Sequence, residues 1–219
     1  LFHHFFAARS REVEAERRAT EAQLRLLQAQ IEPHFLFNTL ANVQTLLDHD
    51  LPRAKAMLEN FTDYLRSSLT TLRLDHCPLS QELDLARNYL LLLQARMEDR
   101  LQFSIDADAA ALQVVLPPLL LQPLVENAVV HGLEPSIAGG TVRITARIQA
   151  DRLVLEVNDD GRGLDAPSRH GGRNGAGLAL NNIRQRLQAR YGGDARLELT
   201  PTQPGTCARI SLPLDGPFA

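Results

Sequence analysis

Apolar positions recur at helical spacing through the first third of the chain and then give way to strand-like alternation. From about Ser10 to Asp48 the sequence is charged, alanine-rich and free of glycine. Within it Leu24, Leu27 and Ile31 fit a heptad seam, and Leu36, Phe37, Leu40, Val43 and Leu47 continue an apolar stripe. Pro52 breaks the pattern. A second run from about Arg53 to Leu72 places Leu58, Phe61, Leu65, Leu69 and Leu72 on one side. Two amphipathic helices joined by a short turn predict a helical hairpin. A hairpin alone has too little core, so the natural completion is a four-helix bundle made by two copies of the chain.

After Cys77-Pro78 the character changes. Ser80 reads as an N-cap for a leucine-rich helix from Gln81 to about Asp99, and Leu101 to Ile105 reads as a strand. Pro117-Pro118 leads into a helix from about Leu119 to His131. Thr141 to Gln149 alternates, as does Arg152 to Asn158, which predicts a hairpin turning near Asp151. A glycine-rich stretch, a helix from about Leu178 to Tyr191 and strands near 195–200 and 206–212 complete the chain. This order predicts an α+β protein, with a helical hairpin followed by a two-layer α/β sandwich. The expected boundaries are a short helical segment at 1–19, dimerisation helices at 20–75 and a sandwich domain at 76–219.

Charge narrows the partners. The formal net charge is -3, and neither the helical front nor the rear is basic enough to predict direct contact with nucleic acid. Cys77 and Cys207 match no metal or redox spacing, so a reducing compartment is expected. The only lysine is Lys55. A P-loop needs a lysine after its last glycine, and Ser/Thr/Tyr-type kinases need a strand lysine on the phosphates. Lys55 has neither context, so any nucleotide chemistry needs a different fold. The opening LFHHFFAA is too short to span a bilayer. It reads either as the inner end of a membrane segment or as a frayed terminus.

Four short motifs carry chemistry. In EPHFLFN, Glu32 to Asn38, His34 follows a proline that loosens the helix. Imidazole is mostly neutral near pH 7 and nucleophilic, while Asn38 shares its helix face. In VENAVVHG, Val125 to Gly132, Asn127 and His131 lie four apart beside Glu126. An amide oxygen and a carboxylate are hard ligands suited to Mg²⁺. In NDDGRG, Asn158 to Gly163, a strand-end carboxylate can accept from the exocyclic amine of adenine and would reject guanine. An ordinary Asp-Gly turn is the alternative. In GAGLALNNIRQRL, Gly175 to Leu187, a glycine pair leads into a helix whose N-terminal amides favour phosphate.

In this order and spacing, the last three motifs resemble the N box and the two glycine boxes of the GHKL ATPase superfamily, which includes gyrase, Hsp90, histidine kinases and MutL. QAQIEPHFLFNTLANVQ and ELDLARNYLLLLQARMEDRL narrow the resemblance to LytS/YehU-type sensor histidine kinases, over about residues 20 to 213. The resemblance implies a GHKL (Bergerat) ATP-binding domain and autophosphorylation of His34 by ATP and Mg²⁺. The phosphoryl group would then pass to an aspartate of a response regulator, one of LytTR DNA-binding type. Asn127 would hold Mg²⁺ with Glu126 beside it, and His131 would lie near the phosphates. Asp159 would bind the adenine amine, Gly161 and Gly163 would shape that pocket, Gly175 and Gly177 would frame the lid, and Asn182 would anchor the helix after it. The implied setting is the cytoplasmic part of a bacterial inner-membrane protein, a homodimer attached through an N-terminal part beyond this sequence.

Two positions depart from the pattern. Ala179 stands where the family often has a further glycine, and Phe35 follows the histidine where many kinases place an acid. The proton acceptor for His34 is therefore open between Glu32 and Glu126. Asn38 either orients water for dephosphorylating the regulator or hydrogen-bonds backbone freed by Pro33. Two other readings compete with the kinase: a signalling scaffold that binds ATP without transferring phosphate, and a GHKL ATPase in which His34 is structural.

Overall fold

The computed structural model describes the backbone of residues 33–163 and 173–215, with side chains from 35 and from 177 onward within those ranges. Contacts divide it into two compact units, one up to Lys55 and one from Ala56 onward. The first holds helix α1 (Pro33–His49) and the start of α2 (Leu51–Leu72). The expected helix before Pro33 lies outside the described residues. Pro52 does not keep the second helix from starting at Leu51, because proline is tolerated in a first turn, where its missing N–H has no partner to lose. The Arg53 N–H donates to Asp50 Oδ1 at 3.1 Å and caps that turn.

The apolar stripes are only partly buried. Phe35, Thr39 and Val43 form the buried line of α1, whereas Phe37 is 72% exposed and Leu40 and Leu47 are exposed as well. On α2 the buried line runs Ala54, Met57, Phe61, Tyr64, Ser68 and Thr71, and Leu51 and Leu58 are exposed.

From Ala56 onward α2 belongs with the rest of the chain. Its last turns lie along α3 (Leu79–Met97). Asn88 donates to Ser67 Oγ at 2.9 Å, Gln81 donates to Thr71 Oγ1 at 3.3 Å, and the Tyr64 and Tyr89 rings are 5.7 Å apart. The N-cap of α3 is Pro78 rather than Ser80. Cys77–Pro78 forms a short strand, β1, antiparallel to β3 (Val115–Leu116), and this carries the chain straight into the helix.

The main sheet has five strands in the order β2-β4-β5-β7-β6. These are β2 (Leu101–Ala107), β4 (Gly140–Gln149), β5 (Arg152–Asp159), β6 (Arg196–Pro201) and β7 (Thr206–Pro213). Only β2 and β4 are parallel; the other pairs are antiparallel. The β4–β5 hairpin turns through Ala150 and Asp151, both at positive φ, the backbone a two-residue hairpin loop demands. Val142, Ile144 and Ala146 on β4, Leu153, Leu155 and Val157 on β5, and Ala208, Ile210 and Leu212 on β7 form the buried face. Arginines and acids occupy the other face, including an Arg209–Glu156 pair. The helix layer consists of α3, α4 (Gln122–Asn127) and α5 (Arg173–Tyr191), the last buried through Leu180, Ile183, Leu187 and Tyr191. This is the expected two-layer α+β sandwich.

The β6–β7 turn closes directly against the end of β5. Gly205 sits at φ +99, and a Cβ there would collide with the Asp159 carbonyl. We predict that Gly205→Ala destabilises the protein by roughly 2–6 kcal/mol, the sum of left-handed strain and overpacking. Urea unfolding should show the loss; a midpoint equal to wild type would contradict the close approach.

Candidate functional site

The site grows from the end of β5. Inward-facing Leu153, Leu155 and Val157 set a two-residue period, and the same period places Asp159 on the core side of the sheet. Asp159 is 7% exposed. Burial pushes its carboxyl up from the ordinary 3.8 to about 6, helped by the neighbouring charge of Asp160. Hydrogen bonds from the Gly161 N–H, 3.0 Å from Oδ1, and from the Thr206 backbone oppose that rise. Asp160 serves the fold instead: its Oδ1 accepts the Thr141 N–H at 2.6 Å and ties β4 to the end of β5.

The other wall comes from α4. Its hydrogen bonding widens into a π-helical turn from Ala128 to Leu133, closed by the Glu134 N–H donating to the Val129 carbonyl at 2.8 Å. Such turns recur at functional sites. Asn127 is the last α-helical residue before it and is half-buried, as is Glu126. His131 lies within the π turn and is exposed. Gln122 donates to Glu126 Oε1 at 2.9 Å. The end of the π turn brings Gly132 against the strand end, where a Cβ would lie 2.6 Å from Asp159 Oδ1. The Gly132 carbonyl accepts the Arg162 N–H at 3.2 Å, and a Cβ on Gly161 would run into that same carbonyl. Gly163 sits at φ +74, beside the Gly205 carbonyl. Asp159, Gly161 and Gly163 therefore converge with the end of the Asn127 helix.

The glycine pair sits differently from expectation. Gly175 and Gly177 do not precede the helix; α5 starts at Arg173 and contains both. The first four N–H groups of an α-helix lack intrahelical partners, which makes such an end donor-rich. Of the lid expected from about Leu164 to Asn174, residues 164–172 lie outside the described residues. Asn182 is exposed on α5. His34 is the second residue of α1, with its side chain outside the described residues, and Asn38 is half-buried one turn on. Both belong to the first compact unit, and the residues around Asp159 to the second.

A buried carboxylate holds the approach to α4. Glu82 is 1% exposed and accepts three backbone N–H groups, from Leu119 at 2.6 Å and from Leu120 and Leu121 at 2.9 Å. Burial raises its pKa, while those three bonds and the charge of Arg186 lower it. Sequence reading assigns no role to Glu82, Arg186, Gly132 or Thr206. Thr206 has a visible signal in the Pro-Gly-Thr run that opens β7. The others depend on contacts between residues far apart in the chain.

Among the described residues no group of three or more His, Cys, Asp or Glu side chains could cage a metal. The half-buried Asn127 amide beside the Glu126 carboxylate fits Mg²⁺, a cation that keeps waters and borrows phosphate oxygens.

Comparison with known proteins agrees with this geometry. Residues 22–101 match the histidine kinase family, and residues 117–216 match the histidine kinase-, DNA gyrase B- and HSP90-like ATPase family. The chain belongs to the LytS/YehU family of sensor histidine kinases, with an ATP-binding domain of GHKL type. It is 35% identical over 202 residues to the sensor protein LytS of Oceanobacillus iheyensis, covering 88% of this chain and 34% of that one. It is 33% identical over 195 residues to the sensor histidine kinase BtsS of Escherichia coli K12, covering 89% and 34%. YwpD of Bacillus subtilis, a putative uncharacterized protein, is 35% identical over 84% of this chain and 67% of its own. The chain thus spans about a third of the length of LytS and BtsS. The fold is also that of the histidine kinase domain of the Erythrobacter litoralis EL346 blue-light activated histidine kinase. That likeness has a TM-score of 0.52 at 19% identity, over 90% of this chain and 94% of that one.

The tight Gly132–Asp159 contact is testable. Gly132→Ala should displace the carboxylate and weaken ATP binding by about tenfold or more, the loss of one charge-assisted hydrogen bond. Calorimetric titration of a folded variant would measure it, and unchanged affinity would separate Gly132 from the site.

Proposed function

We propose that this chain is the kinase core of a two-component sensor, in which ATP phosphorylates His34 and the phosphoryl group then passes to an aspartate of a response regulator. The observation that carries the reading is the buried, inward-facing Asp159 at the end of β5, packed against the helix of Asn127. A buried carboxylate accepts the adenine N6 amine, whereas guanine offers an acceptor at that position. Asn127 would hold Mg²⁺, with Glu126 beside it. The metal, when bound, neutralises charge on the transferring phosphoryl group. Gly161 and Gly163 shape the adenine pocket, His131 lies on the phosphate side, and Gly175 and Gly177 place the amide-rich end of α5 toward the phosphates. Asn182 steadies α5.

Transfer forms a bond between an imidazole nitrogen of His34 and the γ-phosphorus as the bond to the β,γ-bridging oxygen breaks and ADP leaves. The imidazole proton goes to a carboxylate, with Glu32 and Glu126 the candidates. The regulator is proposed to be of LytTR type on family resemblance. Residues 20–75 would form the dimer, supported by the exposed Phe37, Leu40 and Leu47 on α1 and by Leu51 and Leu58 on α2, which a second copy would cover. Among the described residues no helix is long and apolar enough to cross a membrane. On family resemblance this core would lie on the cytoplasmic side of a bacterial inner membrane, attached through an N-terminal part.

Incubation with γ-labelled ATP should place an acid-labile label on the protein and none on His34→Gln. Release of free phosphate without labelling would instead support an ATPase with a structural His34. ATP binding with neither outcome would support a scaffold. Asn38→Ala should keep the label on His34 while slowing dephosphorylation of the regulator; unchanged dephosphorylation would remove Asn38 from that role.

Asp159→Asn should lower ATP affinity by roughly ten- to a hundredfold, since an amide presents a donor to a donor and a charged hydrogen bond is worth about 1.5–3 kcal/mol. Wild-type affinity should also fall as pH drops through about 6, where Asp159 takes up its proton. Without nucleotide the sign reverses. Its folded pKa lies above the ordinary value, so this group's contribution to stability is largest below about pH 4 and is lost as pH rises through about 6. Calorimetry and thermal melting across pH 4–8 would measure both, and a flat affinity profile would contradict the assignment.

A further inference from the structure

Leu119 is the most constrained residue near the site. It has a φ of +58, in the left-handed region that side chains other than glycine rarely adopt. Both of its peptide groups are gripped from different helices. Its N–H donates to Glu82 Oε1 on α3 at 2.6 Å, and its carbonyl accepts from Arg186 Nη1 on α5 at 3.3 Å. Arg186 also donates through Nη2 to the Pro118 carbonyl, and Glu82 takes the Leu120 and Leu121 amides as well. The two opposite charges stabilise each other in this partly desolvated place. Five hydrogen bonds therefore converge on residues 118–121, directly before α4.

The position of this grip defines its effect. The far end of the α4 helix is pinned to the sheet, because the Gly132 carbonyl accepts the Arg162 N–H and Gly132 abuts Asp159. The near end is set by residues 118–121. Asn127 lies between the two anchors. On α5, Arg186 lies three turns after Gly175, so the same guanidinium also registers the amide-rich end of α5 against α4.

We propose that Glu82 and Arg186 are positioning residues that set the spacing of α4 and α5, and thereby the alignment of the phosphate and metal side of the nucleotide site, while leaving the adenine side to Asp159. This inference rests on the nucleotide reading of the pocket. Loosening the clamp would let α4 pivot about Gly132, moving Asn127 more than the Gly132–Asp159 contact. The clamp would thus act on ligands that carry phosphate and metal, and little on the nucleoside alone.

Comparing two ligands isolates that effect. Affinities of ADP with Mg²⁺ and of adenosine, the latter by competition against a fluorescent ADP analogue, are measured for wild type, Glu82→Gln, Arg186→Gln and Arg186→Lys. Lysine keeps the charge but gathers its three donors on one nitrogen, without the planar fork by which Nη1 and Nη2 reach separate carbonyls. Each variant should bind ADP–Mg²⁺ at least about tenfold more weakly while adenosine stays within about threefold of wild type. Should the glutamine variants fail to fold, Arg186→Lys decides by the same ratio. Equal loss of both ligands, or an unchanged ADP–Mg²⁺ affinity in a folded variant, would overturn the clamp. A wild-type chain that binds neither ligand would overturn the nucleotide reading and the clamp with it.

Discussion

The three backbone amides donated to Glu82 are the constraint on which the site depends. Residues 119–121 have no strand or helix to satisfy their N–H groups, and a buried, unpaired amide costs on the order of 1–3 kcal/mol. One carboxylate from α3 takes all three. Burying that carboxylate is itself unfavourable, as its raised pKa records, and the same amides and Arg186 offset the cost. The start of α4, and with it Glu126 and Asn127, is therefore fixed from a helix about forty residues earlier in the chain. Cys77, whose thiol is pushed up to about 12 by burial and by Glu82, packs against the same carboxylate.

From that anchor the chain of causes runs to the strand end. A two-residue period turns Asp159 inward, a π-helical turn carries Gly132 onto it, and Gly161 and Gly205 leave room for the backbones to meet. Each element is unremarkable alone. Together they set one buried carboxylate against the far end of the helix that carries the half-buried Asn127.

Much of this was legible in the sequence. Alternation predicts the β4–β5 hairpin and its turn, and VENAVVHG and NDDGRG, named from the sequence, meet where Gly132 abuts Asp159. What the sequence hid has a common cause. The helix before Asn127 begins at Gln122 rather than Leu119 because Leu119, held by Glu82 and Arg186, sits at positive φ, outside helical geometry. Gly175 and Gly177 fall in the first two turns of α5, whose later turns are buried through Leu180, Ile183 and Leu187. Leu58 is exposed because Met57 and Phe61 set the buried line of α2 one position away. In every case a tertiary contact outweighed a local preference.

The structure of the chain with ADP and Mg²⁺ bound is the most direct measure of the account. It should place the adenine N6 amine on the Asp159 carboxylate and the cation on the Asn127 amide oxygen, with the Gly132–Asp159 contact and the Glu82 hydrogen bonds unchanged. Adenine bound away from Asp159, or a nucleotide that enters only after residues 118–121 have left Glu82, would contradict it.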